Sequence, residues 1–224
     1  MSTRREKIRQ PGTRRGTVRK AGIRQDINLQ GEIRHNRAGE LEVQIQLGQS
    51  AVRIFAANDR MNQMLIEHLA PAAWRAAAPG KVRNIAAIFT HVHNVRCKWV
   101  RLTAPHLKVP AQLSRTHCTP EQARAGLAES AARCGEMLAE ALGGGGRIEK
   151  FRRDGWGRPW PVGVEMLCYM LAHEAHHRGQ VCMLAHQMGF KLPIGVTSGI
   201  WNWEKLWKEC GWEGGPGADS TFAI

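Results

Sequence analysis

Two histidines one helical turn apart, His173 and His177, interrupt an otherwise apolar series. Met166, Met170, His173, His177, Val181, Leu184 and Met188 follow steps of four and three, so a helix places all seven on one seam. Burying an imidazole there costs about 1–3 kcal/mol for each polar group left unsatisfied. A shared cation answers that cost for both rings, because side chains at i and i+4 stand about 5–6 Å apart at Cβ and can reach one ion. The alternative is that each ring hydrogen-bonds to backbone or to a glutamate. His176 lies between them but is rotated about 100° from His177 on a helix. It reads as packing, or as a group that holds a ligand in place.

Two protein ligands make a poor metal site, so a third donor must come from a facing helix. His91 and His93 are the candidates. They point about 160° apart around a helix axis, each on a shoulder of the apolar stripe centred near Val92 and Trp99. Geometry alone does not choose between them. His173-Glu174-Ala175-His176-His177 also satisfies H-E-x-x-H, the zinc-protease helix in which the glutamate is the general base. The context argues against that chemistry. The extended protease pattern wants glycine at position 180 and histidine at 183, where this chain has Gln180 and Met183. The downstream acids Glu204 and Glu209 lie in no recognisable ligand motif, and no strand pattern nearby would hold a peptide.

The wider string, His173 to His177 followed by Arg178-Gly179-Gln180, resembles the DinB/YfiT-like superfamily of metal-binding four-helix bundles. His91, eight residues ahead of Trp99, and the ending Trp201-Asn202-Trp203-Glu204 add to the resemblance, which covers roughly residues 52–210. It implies a divalent metal such as zinc or nickel, held by one histidine of the second helix and two of the last. Carried over, the ligands are His91, His173 and His177, with the His-to-Trp spacing favouring His91 over His93. His93, His176 and Glu174 remain as alternative ligands or as residues that support ligands. Characterised relatives include transferases and isomerases that use low-molecular-weight thiols such as bacillithiol or mycothiol. The resemblance therefore implies a metal-dependent thiol transferase or hydrolase acting on a small molecule, and a homodimer. A non-catalytic metal-binding stress-response module is the reading from another class.

Arg152, Arg153 and Arg158, beside Trp156 and Trp160, immediately precede the histidine-bearing helix. They are candidates to receive an anionic group of a cosubstrate at the pocket mouth. Arg178 is expected to pair with an acid and Gly179 to permit close helix packing. Trp201, Trp203, Trp207 and Trp212 are expected to close one end of the bundle.

Four long segments must position these residues. Ile54, Met61, Leu65 and Leu69 form one stripe, ended by Pro71. Ile85, Ile88, Phe89, Val92, Val95 and Trp99 form a second, within Val82 to Leu102. Thr119-Pro120-Glu121-Gln122 opens a third with a capping box, and Gly143 to Gly146 stop it. The fourth runs from about Val162 to Met188, where Gly189 can close it. The expected fold is all-α, an up-and-down four-helix bundle over residues 52–212.

Residues 1–50 read as a basic, mostly disordered extension. Its first 24 residues carry nine Lys/Arg against one acid, Glu6, which accounts for most of the chain's formal +13. A solvated tail is the expectation; any contact with nucleic acid would have to come through this tail, which has no aromatic residue in that stretch for stacking on bases. Alternating apolar residues in Ile27–Ile33 and Leu41–Leu47, around the turn-forming Asn36 to Gly39, predict a short β-hairpin over 27–47. Residues 213–224 read as a flexible C-terminal tail. The six scattered cysteines contain no CxxC pair and suit a reducing cytoplasm. No apolar run approaches the roughly 18 residues a transmembrane helix needs, so no membrane contact is expected.

Overall fold

The computed structural model describes residues 37–212 except 79 and 81, with residues 37–44 described by backbone alone. Helix α2, Ile85–Thr103, starts where Asn84 Oδ1 accepts from the Ala87 amide at 2.9 Å. Its expected stripe, from Ile85 to Trp99, is buried throughout. Helix α3, Pro120–Leu142, opens on the expected capping box: the Gln122 amide donates to Thr119 Oγ1, and the Thr119 amide donates to Gln122 Oε1. Helix α4, Val164–Gln187, ends as Gly189 turns to φ +83° and the Phe190 amide reaches the Ala185 carbonyl at 2.8 Å. Among the described residues no helix is long and apolar enough to cross a membrane.

Helix α1 corrects the expectation for the N-terminal side. It spans Arg37–His68, so the second strand of the expected hairpin, Leu41–Leu47, is helical. It also runs unbroken through the boundary expected between residues 50 and 52. The physical reason is cooperativity. Once the later turns of α1 pack on α3, each further residue adds one hydrogen bond for one residue fixed, whereas an isolated hairpin is marginal in water. The alternation was not a buried face: Ile45 and Leu47 are both exposed. The other expected strand, Ile27–Ile33, the rest of the basic extension and the C-terminal residues 213–224 lie outside the described residues.

The four long helices share a core that a polar layer divides in two. Leu65, Phe89, Val92, Leu127, Val181 and Leu184 belong to one apolar cluster, and Phe55, Trp99, Leu138, Met166 and Met170 to the other. Between them along the chain come the buried Asn58, Asp59 and Asn62 of α1, His93 and Arg96 of α2, Ser130 of α3, and Glu174 and His177 of α4. This order fixes the helix directions. Gly48 of α1 lies against Gly143 of α3, and Gln63 bonds to the Arg124 carbonyl, so α1 and α3 are antiparallel. Thr90 and His93 of α2 sit near the start of α3, while Trp99 and Leu138 share the far cluster, so α2 and α3 run the same way. Strict up-and-down alternation therefore fails between consecutive helices α2 and α3. The connection spanning residues 104–119 carries the chain back, a crossover that helix patterning alone does not reveal.

The remaining elements are short. Strands β1 (Lys150–Phe151) and β2 (Trp160–Pro161) pair antiparallel and bring Trp156 and Trp160 to Tyr169 of α4. After α5 (Ile194–Thr197), helix α6 (Trp203–Glu209) lies on α1, with Leu206 and Trp207 against Met61 and Met64 and an Arg60–Glu209 ion pair. The tryptophan-rich ending thus packs on the flank of α1.

Candidate metal centre

His91 on α2 and His173 and His177 on α4 meet where the two helices pack. Their ring centroids lie 5.4 Å (91 to 173), 4.8 Å (91 to 177) and 4.6 Å (173 to 177) apart. One donor nitrogen from each can be chosen so that all lie within 4.8 Å of one another, a group able to hold a metal ion. His177 is buried, whereas His91 and His173 are half-buried, so the centre has an open side.

The donor chemistry fits a cation. Burial, aided by the Arg83 charge, pushes the His91 imidazole down to about 3. Burial and the neighbouring His177 push His173 down to about 4. Burial also lowers His177, against the opposing hydrogen bond from Gln180. All three rings are therefore neutral near pH 7 and present lone pairs. Gln180 Oε1 lies 2.7 Å from His177 Nδ1, which reserves that nitrogen for donation and frees Nε2 for a metal. His173 Nδ1 is buried with no hydrogen-bond partner among the described residues. A buried imidazole nitrogen with no other partner, beside two further imidazoles, fits a metal ligand. Three neutral nitrogens suit zinc, nickel, copper or iron rather than magnesium or calcium.

His93 is excluded from the triad by its own bonds. It is fully buried, with Nδ1 2.8 Å from the Gly126 carbonyl oxygen and Nε2 2.9 Å from that of Ala111. It ties α2 to α3 and to the crossover. His176 is exposed, its ring centroid 5.1 Å from that of His177. Glu174, also fully buried, faces away into the polar layer. Its carboxylate takes a bidentate pair from Arg96, at 2.7 and 2.6 Å, and further bonds from Asn58 and Asn62. Burial alone would raise its pKa, but Arg96 outweighs this and holds it below the usual carboxylate range. Both oxygens are thus occupied, which removes the general base that the H-E-x-x-H protease reading needs.

The sequence reading missed Arg96, Asp59, Asn58 and Asn62. Arg96 is fully buried and also donates to Asp59 Oδ1 at 2.6 Å and to the Leu127 carbonyl at 2.9 Å. The signal was present: each is a polar residue on the inward face of an amphipathic helix. Arg178 bonds to Asn58 Oδ1 at 2.7 Å rather than directly to an acid. Gly179 has open space where a Cβ would stand, so it serves no close packing.

The loop arginines divide. Arg153 stacks over Trp156 and Tyr169, at 5.7 and 5.6 Å, and Tyr169 in turn lies 6.5 Å from the His173 ring. Arg152 and Arg158 are exposed, and with Arg153 they line a small hollow of about 210 Å³ beside Trp156. Trp99, fully buried, completes the wall, its ring edge-on to His173 at 5.3 Å.

No curated protein matches the chain. The DinB family model matches residues 44–202, a span that contains all three histidines of the centre together with Gln180 and the Arg96–Glu174 pair. That span is well over half of the 224 residues, and its helices place the histidines as the resemblance required; the chain belongs to the DinB family.

Proposed function

We propose that the protein is a metal-dependent enzyme in which His91, His173 and His177 hold one divalent cation, zinc or nickel, and a low-molecular-weight thiol serves as cosubstrate in a transfer or hydrolysis reaction. The observation that carries this reading is the meeting of three neutral imidazoles from two helices, with donor atoms within 4.8 Å of one another and an open side. A cation bound there supplies Lewis acidity, lowering the pKa of a bound water or thiol toward neutrality.

The chain's own residues do the rest. Gln180 accepts from His177 Nδ1 and fixes that ring's tautomer. Trp99 and Tyr169 wall the His173 side with aromatic surface, which excludes water from one flank of the reacting group. The Arg96–Glu174 pair links α2 to α4 and so holds His91 in register with His173 and His177. Arg153 stands at the outer end of the aromatic wall, where it can meet an anionic cosubstrate. The four long helices act as one bundle around this centre.

Elemental analysis of protein purified without an affinity tag tests the reading. We expect about one zinc or nickel ion per chain, and less than about a tenth of that in His173→Ala. Wild-type protein that takes up neither ion on dialysis overturns it. Screening thiol cosubstrates with the loaded protein then separates transfer from hydrolysis.

A further inference from the structure

A cleft of about 890 Å³ opens between the start of α2 and the outer face of α4. It adjoins the histidine centre through two residues. Gln180 lines it and bonds to His177, and His176 lines it with its ring against that of His177. Its apolar wall is Val82, Ile88, Met183 and Leu184. Val82 and Met183 are 61% and 58% exposed, so among the described residues this wall offers two large apolar side chains to solvent. The polar part is Arg83 and His176 with the amides of Gln180 and Gln187, and among the described residues the lining contains no acid.

Arg83 is exposed at the rim of the cleft, while the buried acids Asp59 and Glu174 are both paired with Arg96. The volume is that of a small-molecule site. An apolar wall fixes the class of body it takes, and an arginine at its edge fixes the class of head group.

We propose that this cleft binds an organic carboxylate with a compact apolar body, its head group at Arg83 and its body on Ile88, Met183 and Leu184. Reading the bound molecule as the substrate rests on the metal-centre reading above, while the binding itself does not. Arg83 is here a specificity-determining residue. It selects anions and delivers them to the side of the centre that Gln180 borders.

Calorimetric titration of the full-length protein with octanoate and with its neutral counterpart octanamide tests this, using EDTA-treated and zinc-loaded samples. Octanoate should bind both forms, with octanamide weaker by about tenfold or more. Arg83→Gln should weaken octanoate by about tenfold and leave octanamide unchanged. Met183→Glu should weaken both. Arg83 and Met183 are exposed, so neither variant is expected to disturb the fold. Equal affinity for the two probes, indifference to Arg83→Gln, or binding only when zinc is present would each overturn the proposal. Zinc affinity, read on the same samples by competition with a chromogenic chelator, separates the two ideas. Octanoate binding without zinc binding upholds the cleft and sinks the metal centre, and the converse sinks the cleft alone.

Discussion

The side-chain oxygen of Gln180 stands 2.7 Å from Nδ1 of His177, one turn along the same helix. The amide therefore decides which histidine nitrogen carries the proton. Leucine at position 180 removes the acceptor without adding bulk, and the freed ring can rotate or change tautomer. We expect Gln180→Leu to weaken zinc binding by about 10–100-fold, and Gln180→Glu, which keeps an acceptor, to retain or tighten it. Chelator competition measures both. Equal affinity in wild type and Gln180→Leu would show that the contact does not orient the ligand.

His91 and His93 are close in sequence and opposite in role. His91→Ala should lower zinc affinity by at least about 100-fold with little loss of fold stability, since the ring is half-buried. His93→Ala should keep the zinc but cost stability, because it empties a fully buried site and removes the ring that ties α2 to α3 and to the crossover, at about 1–3 kcal/mol. Metal content and a urea midpoint for each variant give the comparison. Loss of metal in His93→Ala with the fold intact would reverse the assignment.

Much of the centre was legible in the sequence because it obeys helical arithmetic. His173 and His177 are one turn apart, and the stripe from Ile85 to Trp99 turns inward as its spacing demands. The choice of His91 was not geometric. Its helix-mate His93 is the more buried of the two, and only the resemblance favoured His91. Three things escaped for physical reasons. The residues Leu41–Leu47 alternate like a strand, yet tertiary packing of α1 extends the helix through them. The direction of α3 depends on the crossover at 104–119, and no periodicity encodes where a loop returns. Arg96 falls in the spacing of the buried stripe of α2, yet its acid partners are not readable there, because Asp59 and Glu174 come from α1 and α4 and meet it only once the three helices pack.

Acid should release the metal late. The histidine pKa values are depressed from the ordinary 6.5, to about 3 for His91 and about 4 for His173, so both rings stay unprotonated well below neutrality. Protons then compete with the ion only near those values, and we expect full zinc occupancy at about pH 5.5 with release below about pH 4.5. The metal-free protein should behave differently. A histidine whose folded pKa is depressed contributes stability that is complete above its unfolded value and is lost as pH falls through the folded one. Its urea midpoint should be level above about pH 7 and decline from about 6.5 toward 4. Half occupancy already at pH 6.5 would contradict the neutral triad.

Glu174 decides between a catalytic carboxylate and a structural one. In an H-E-x-x-H hydrolase, Glu174→Gln abolishes turnover and leaves the fold alone. Here the carboxylate is fully buried against Arg96, so the burden falls on the fold. Glu174→Leu leaves a buried guanidinium with Asp59 as its only acid partner and should cost about 3–5 kcal/mol. Glu174→Gln keeps an acceptor and should cost less and retain its zinc, whereas Glu174→Leu, which breaks the clamp that holds His91 in register, should also weaken zinc binding. The double variant Arg96→Met with Glu174→Leu removes both charges together and fills the layer with apolar atoms. Its cost should fall short of the sum of the single changes by about 2 kcal/mol or more, since neither charge is then stranded. Additive costs would show that the two groups do not depend on each other, and the polar layer would lose its role as the clamp between α2 and α4.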